Sequence, residues 1–299
     1  RIEKDGDAAW SAIVSQYDGY STREFLEERG WSEPAIELFG LVCNQEALMN
    51  SCFLELLREE VGNYYTDMVR IDGGADQLPN AYLPFLRDRI RFGARMTAID
   101  QSDHDVTVHF QTAAGRSVAT GDYAIVTVPY PVLRHVEVLK PFSHAKRRAI
   151  RQLRYDASAK IFFQCRRRFW EDDDGIVGGG SVTDLPIRNV YYPEAGKATG
   201  RGVLLASYTW SEDAQRWGSL SPEDRIAQAL ENVALIHPQV AECFEVGASW
   251  MTREDRLEEI EDQRHWLDLA HAHYRRVVGD AAPLIVLGSS QGVATASRW

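Results

Sequence analysis

Apolar positions recur at helical spacing through the first part of the chain. Ser21 with Glu24 has the capping-box pattern ahead of Phe25 and Leu26, and Ser32 followed by Pro34 starts another helix. Ala47, Leu48, Phe53, Leu54 and Leu57 keep the same period, so residues 1–62 read as helices. From Asp67 the period changes. Val69 and Ile71 alternate into Gly73-Gly74, a short helix follows over Leu78–Leu86, and Ile90-Arg91-Phe92 opens a strand-rich stretch. Val106–Phe110 and the turn around Ala114-Gly115 predict a hairpin, and Tyr123–Val128 a short buried strand. Residues 143–154 read as a basic helix, and 158–169, 187–192 and 203–210 as strands between Gly-rich turns. Ser221-Pro222-Glu223-Asp224 is a strong helix start, and Thr252-Arg253-Glu254-Asp255 caps a further long helix. The expected class is α+β / α/β, with a mostly antiparallel sheet in the middle.

Composition narrows the function classes. The 299 residues suffice for two domains or one large one. A hydrophobic share of 44% and a charged share of 26% are those of a soluble globular protein. No run approaches the ~18 apolar residues of a membrane helix, which excludes a helical bilayer-spanning protein. The net charge of −11 repels phosphate and anionic lipid, so neither nucleic acid nor membrane is an expected partner. The stretch Lys140–Arg168 runs against this average, with Asp156 its only acid, and reads as a solvated helix face with Arg stems over the core. Cys43, Cys52, Cys165 and Cys243 form no CxxC and read as core thiols, leaving a cytoplasmic and a secreted location both open. His271-Ala272-His273 would point to opposite sides of a helix, so no metal is expected. The chain opens on Arg1 with no signal-peptide pattern and reads as a processed product, a fragment or a trimmed chain.

Candidate chemistry sits on the central strands. In Ser158-Ala159-Lys160-Ile161-Phe162-Phe163-Gln164, alternation puts Lys160 on the face of Ser158, Phe162 and Gln164, opposite Ala159, Ile161 and Phe163. Such a lysine either snorkels from a sheet edge or lines a cavity, where lost solvation lowers its pKa and lets it hold a water or accept a proton. Asn189-Val190-Tyr191-Tyr192-Pro193 and Ala206-Ser207-Tyr208-Thr209-Trp210 are aromatic-rich strand ends that either pack or wall a pocket. Gly178-Gly179-Gly180 lacks the G-x-G-x-x-G spacing of a dinucleotide fingerprint, which occurs nowhere in the chain.

The run Tyr64–Pro79, with Gly73-Gly74 and Leu78-Pro79, resembles the segment of flavin amine oxidases that reads GGM, two residues, then Leu-Pro. The likeness continues through Ile90–Asp100, Ala124–Pro129, Asp156–Phe163 and Val203–Ala214, covers about residues 1–247, and is strongest to bacterial L-amino acid oxidases, also called flavin monoamine oxidases. The resemblance implies a partial flavin amine oxidase fold with FAD as cofactor, and an amino acid and O2 as small-molecule partners. It implies oxidative deamination to a keto acid, ammonia and H2O2. It assigns Lys160 to a water near the flavin, Tyr208 to the substrate carboxylate, and Tyr191 or Tyr192 to the pocket wall. Gly73 and Gly74 would approach the cofactor, and Arg95 and Met96 would neighbour its adenosine side. The expected domains are a helical region at 1–66, part of the FAD-binding domain at 67–129, and a substrate-binding domain at 130–246. The family's G-x-G-x-x-G turn and Ala-Gly-Glu segment are not in the sequence, which implies other chains of a processed oxidase, or a homo-oligomer, as partners.

Residues 247–299 change character. Pro283–Leu287, then Gly288-Ser289-Ser290-Gln291-Gly292, is the strand and G-x-S-x-G turn of an α/β-hydrolase elbow, and the segment resembles bacterial esterases. Ser290 is the alternative nucleophile. No His follows it, so a structural strand–turn–helix is the expected reading, with a non-catalytic oxidase-like scaffold as a further alternative.

Overall fold

The computed structural model describes residues 6–62, 66, 69–71, 73–153, 155–194 and 200–252. Of these, residues 6–66 and 156–252 form one compact unit and residues 69–155 another.

The first unit opens with helices α1 (Asp7–Tyr17), α2 (Thr22–Glu28), α3 (Glu33–Val42) and α4 (Phe53–Gly62). The capping box forms as expected. The Glu24 amide donates to Ser21 Oγ at 3.2 Å, and the Ser21 amide donates to Glu24 Oε2 at 2.8 Å. Pro34 sits in the first turn of α3. The helical spacing from Ala47 to Leu57 is only partly realised, because a 3-10 turn at Glu46–Leu48 precedes α4. The carbonyls of Met49 and Ser51 instead accept from the amides of Arg23 and Thr22, satisfying donors in the first turn of α2 that have no partner inside the helix. Leu26, Ile36 and Met49 form a small core, and Phe25 stacks on Phe53 with ring centroids 3.8 Å apart.

The second unit begins with short helices α5 (Gln77–Asn80) and α6 (Leu83–Leu86). Pro84 separates them, since its ring would clash with the carbonyl of Asn80 in a continuous helix. The strand expected from Ile90 starts only at Arg95, after the positive φ of 67° at Gly93 turns the chain. Strands β1 (Arg95–Gln101), β2 (Val106–Thr112) and β3 (Gly115–Gly121) form an antiparallel meander around the expected hairpin. After α7 (Tyr130–Leu133), strand β4 (Glu137–Val138) pairs parallel with β1, and the basic helix α8 (His144–Gln152) follows. Residues 130–153, read from sequence with the substrate-binding strands, therefore pack with this unit. The expected buried strand at Tyr123–Val128 does not form: Tyr123 is 93% exposed and Ile125 91%. Its composition favours burial, but a strand exists only where a neighbour completes the ladder, and no described strand pairs with it.

The chain then returns to the first unit and builds an antiparallel sheet in the order β6-β7-β8-β5-β9. Its strands are β5 (Ser158–Cys165), β6 (Gly180–Val182), β7 (Asn189–Tyr191), β8 (Gly202–Trp210) and β9 (Phe244–Thr252). Helix α9 (Phe169–Asp172) follows β5, and α10 (Ser211–Gly218), α11 (Pro222–Ile236) and α12 (Val240–Cys243) lie between β8 and β9. The predicted start of α11 is realised, with the Asp224 amide donating to Ser221 Oγ at 3.1 Å. Helices α10 and α11 cover one face of the sheet, where Ala159, Ile161, Phe163, Leu204, Ala214, Trp217 and Val233 make the main core. Gly247 lies within β9, which pairs along β5, so the change of sequence character there is not a structural boundary.

Cys165 and Cys243 are the core thiols expected, and burial pushes the Cys165 thiol up to about 12. Cys43 is exposed and Cys52 half-buried, so the core assignment fails for those two. No helix among the described residues is long and apolar enough to cross a membrane. His271, His273, Ser290 and the expected C-terminal strand–turn–helix lie outside the described residues.

Candidate active site

The alternation read in the sequence of β5 is present in the fold. Ala159, Ile161, Phe163 and Cys165 are buried, while Lys160, Phe162 and Gln164 are half-buried on the opposite face. Strand order then separates the two readings of Lys160. Strand β5 is interior, flanked by β8 and β9, so Lys160 has no edge from which to snorkel. In the ladders it stands opposite Tyr208 on one side and Trp250 on the other. Its Nζ lies 4.3 Å from the centroid of the Tyr208 ring. Burial holds its pKa below the usual lysine value, and no carboxylate of the described residues opposes that shift.

Two further rings flank Tyr208. Tyr191 lies with its ring centroid 6.4 Å away, and Trp210, two residues along β8, lies 4.8 Å away. Tyr191 reaches this face because it lies over a glycine: a Cβ on Gly180 would sit 2.9 Å from Tyr191 Cδ1. Gly180 thus makes room for an aromatic ring. Trp210 belongs to this aromatic group, although sequence reading treated it only as part of an aromatic strand end. The i, i+2 spacing from Tyr208 was the signal for it.

Tyr192 is not part of this group. As the next residue after Tyr191 it faces the other way and is only 2% exposed. Its hydroxyl bonds Ser181 Oγ at 2.7 Å and His237 Nε2 at 2.7 Å, while His237 Nδ1 bonds Asp174 Oδ2 at 2.8 Å. Of the sequence alternatives for the pocket wall, the fold puts Tyr191 beside Tyr208 and Tyr192 in the core. Tyr192→Phe is expected to cost about 1–3 kcal/mol of stability, the penalty for stranding a buried polar partner. Urea unfolding at neutral pH checks this.

In the second unit, Gly73 and Gly74 adopt φ of 85° and 107°. This left-handed backbone is open to glycine and strained for residues with a Cβ. Arg95 stands exposed at the start of β1 and Met96 is half-buried beside it. The described residues fit the ring system of a flavin. An amine without a carboxylate partner among the described residues stands among aromatic rings on a sheet face that α10 and α11 leave uncovered, which suits a flat heteroaromatic with a polar edge. A pyrophosphate cradle at the start of a helix is not found among the described residues.

Residues 7–268 match the family model described as flavin containing amine oxidoreductase. The match runs beyond the limit of about 247 read from sequence, in keeping with the place of β9 in the sheet. The chain is 39% identical over 241 residues to the Bacillus subtilis (strain 168) protein YobN, whose name assigns it provisionally to the L-amino-acid oxidases. That alignment covers 77% of this chain and 49% of YobN. The L-amino-acid oxidase of Crotalus adamanteus is 35% identical over 230 residues, covering 75% of this chain and 44% of the venom protein. The chain thus spans about half the length of the curated relatives it matches. Among solved structures, wild-type putrescine oxidase bound to putrescine has the same fold with a TM-score of 0.59 and 17% identity, over 79% of this chain and 54% of that one.

Proposed function

This chain belongs to the flavin-containing amine oxidoreductase family, and we propose that it carries the helical region, the substrate-binding sheet and part of the FAD-binding domain of an L-amino acid oxidase. The observation that carries the reading is Lys160 on an interior strand, its amine over the Tyr208 ring and without a carboxylate partner among the described residues. The relatives named L-amino-acid oxidase support the choice of an α-amino acid as substrate.

FAD, when bound, would supply the redox chemistry, accepting a hydride equivalent from Cα–H as the amine becomes an imine, with O2 as the final two-electron acceptor. In sum, amino acid, O2 and water become keto acid, ammonia and H2O2. The chain's own residues orient the reactants and handle protons. A Lys160 with a lowered pKa has more of the neutral amine, which holds a water or accepts a proton. The Tyr208 hydroxyl binds the substrate carboxylate, and the rings of Tyr191 and Trp210 wall the side-chain space. Gly73 and Gly74 allow close approach of backbone to the cofactor, and Arg95 with Met96 borders its adenosine side. Other chains of a processed oxidase, or a second copy, are the proposed macromolecular partners.

The test is the visible absorption of the purified protein before and after adding FAD, followed by H2O2 release from a panel of L-amino acids. With the partner chains that complete the FAD site present, flavin bands at the protein's molar concentration together with peroxide are expected. An FAD-loaded protein that releases no peroxide from any amino acid overturns the reading. Tyr208→Phe is expected to raise the KM for amino acids about tenfold with a smaller change in kcat, since a hydrogen bond to a charged group is worth about 1.5–3 kcal/mol. Steady-state kinetics on the two proteins decides this.

A further inference from the structure

Among the described residues, the non-glycine residues with positive φ are Asn44 at 56°, Arg188 at 54° and Ser211 at 46°. Left-handed backbone is costly for residues with side chains and persists where surrounding contacts over-determine it. These residues are distant in sequence, yet all belong to one junction at the end of β8. Asn189 Nδ2 donates to Asn44 Oδ1 at 2.7 Å and to the Tyr208 carbonyl at 3.3 Å. Next to it, Arg188 Nε lies 3.2 Å from Glu46 Oε2 and 3.0 Å from Asp213 Oδ2. Ser211 turns the chain from β8 into α10, its amide donating to the Ala157 carbonyl at 2.9 Å.

Strand pairing explains why the junction is needed. Strand β7 pairs with β8 at Tyr191 and Leu205, with no further β7 partner along β8 toward Tyr208. On the β5 side the register shifts between Ile161 and Phe162 and then runs unbroken from Ile161 and Ser207 through Lys160 and Tyr208 to Ser158 and Trp210. The β7 side of β8 is therefore the one without rungs at Tyr208, the residue that faces Lys160. Side chains replace the missing rungs: Ser207 Oγ donates to the Ile187 carbonyl at 3.0 Å, and the buried Asn189 amide takes the Tyr208 carbonyl.

We infer that Asn189, anchored by Asn44, is a positioning residue that holds Tyr208 over Lys160. What is positioned for, a substrate carboxylate, rests on the oxidase reading; the clamp itself does not. A primary amide suits the task because it has two N–H donors on one nitrogen, one for each acceptor.

The experiment compares Asn189→Ala, Asn189→Asp and Asn44→Gly with the wild type, each first checked for cooperative thermal unfolding. Asp has the shape of Asn but only acceptors. In Asn189→Asp, Asn44 can turn its own amide to donate to residue 189, preserving the tie between them, while the Tyr208 carbonyl loses the bond from residue 189. Glycine at the exposed position 44 removes the anchor and relieves the positive φ, so this variant reports even if a change at the buried site prevents folding. Two signals are read: the part of the near-ultraviolet circular dichroism that Trp210→Leu abolishes, and the KM and kcat for an oxidised amino acid.

Both Asn189 variants are expected to lose most of that dichroism and to raise KM about tenfold with kcat within about threefold, and Asn44→Gly to do so in part. An Asn189→Asp protein equal to wild type beside an impaired Asn189→Ala overturns the inference, because the tie to Asn44 would then suffice. Folded variants with unchanged dichroism and KM also overturn it. A wild type that oxidises no amino acid defeats the oxidase reading, and the dichroism alone then decides the clamp.

Discussion

Lys160→Met is expected to lower amino acid turnover by about 10²–10⁴-fold, the usual contribution of a positioned acid–base group, while FAD stays bound. Met keeps the length and apolar stem of Lys and removes only the amine, so the sheet face should keep its shape. The same substitution is expected to stabilise the fold at neutral pH. Burial lowers the Lys160 pKa, so the unfolded chain binds more protons than the native protein between the folded value and the ordinary lysine value. Wild-type stability therefore rises with pH across that window, and the penalty for burying the charge is fully present below it. Met carries no such penalty. The stability advantage of Lys160→Met should accordingly be largest near neutrality and shrink as pH rises toward the ordinary lysine pKa. Turnover and flavin absorbance measure the first effect, and denaturant unfolding across pH the second. An unchanged turnover would make Lys160 a structural residue of the sheet, without a part in the chemistry.

Phe163→Ala, three residues along the same strand, is expected to cost about 3–5 kcal/mol of stability. Phe163 is fully buried on the helix-covered face and meets Phe244 edge-on, with ring centroids 5.2 Å apart. Truncation loses the transfer free energy of the ring and leaves a cavity between an interior strand and its helices, where the packing has little freedom to collapse. Urea unfolding should show a lower midpoint with an unchanged slope if the cavity is the cause. Near-native stability in Phe163→Ala would mean that the core repacks around the gap. The two variants together separate the faces of β5: one should lose chemistry and keep the fold, the other lose stability through packing alone.

Much of this arrangement was legible in the sequence wherever the signal is local. The alternation in Ser158–Gln164 separated Lys160 from Ala159, Ile161 and Phe163 before any strand neighbour was known, because successive residues of a strand face opposite sides. Ser21 with Glu24 and Ser221 with Pro222 marked helix starts, since capping depends on residues three apart. The misreadings fall where a distant partner wins. The Ala47–Leu57 segment has helical spacing, yet the carbonyls of Met49 and Ser51 serve α2. Tyr123–Val128 has strand composition, yet no described strand pairs with it.

The same division runs through the site. By itself the sequence determined the two-faced character of β5, the aromatic ends of β7 and β8, and the resemblance that the family match then supported. Only the tertiary structure decided that β5 is interior, which removes the edge from which Lys160 could snorkel. It also decided that Tyr191 turns toward Tyr208 while Tyr192 joins His237 in the core. The meeting of Asn44 with Asn189, 145 positions apart, has no trace in local spacing. Periodicity reports what a residue's own strand or helix imposes on it. Strand order, register and side-chain partners are set by pairing between remote segments, and only the folded chain brings those together.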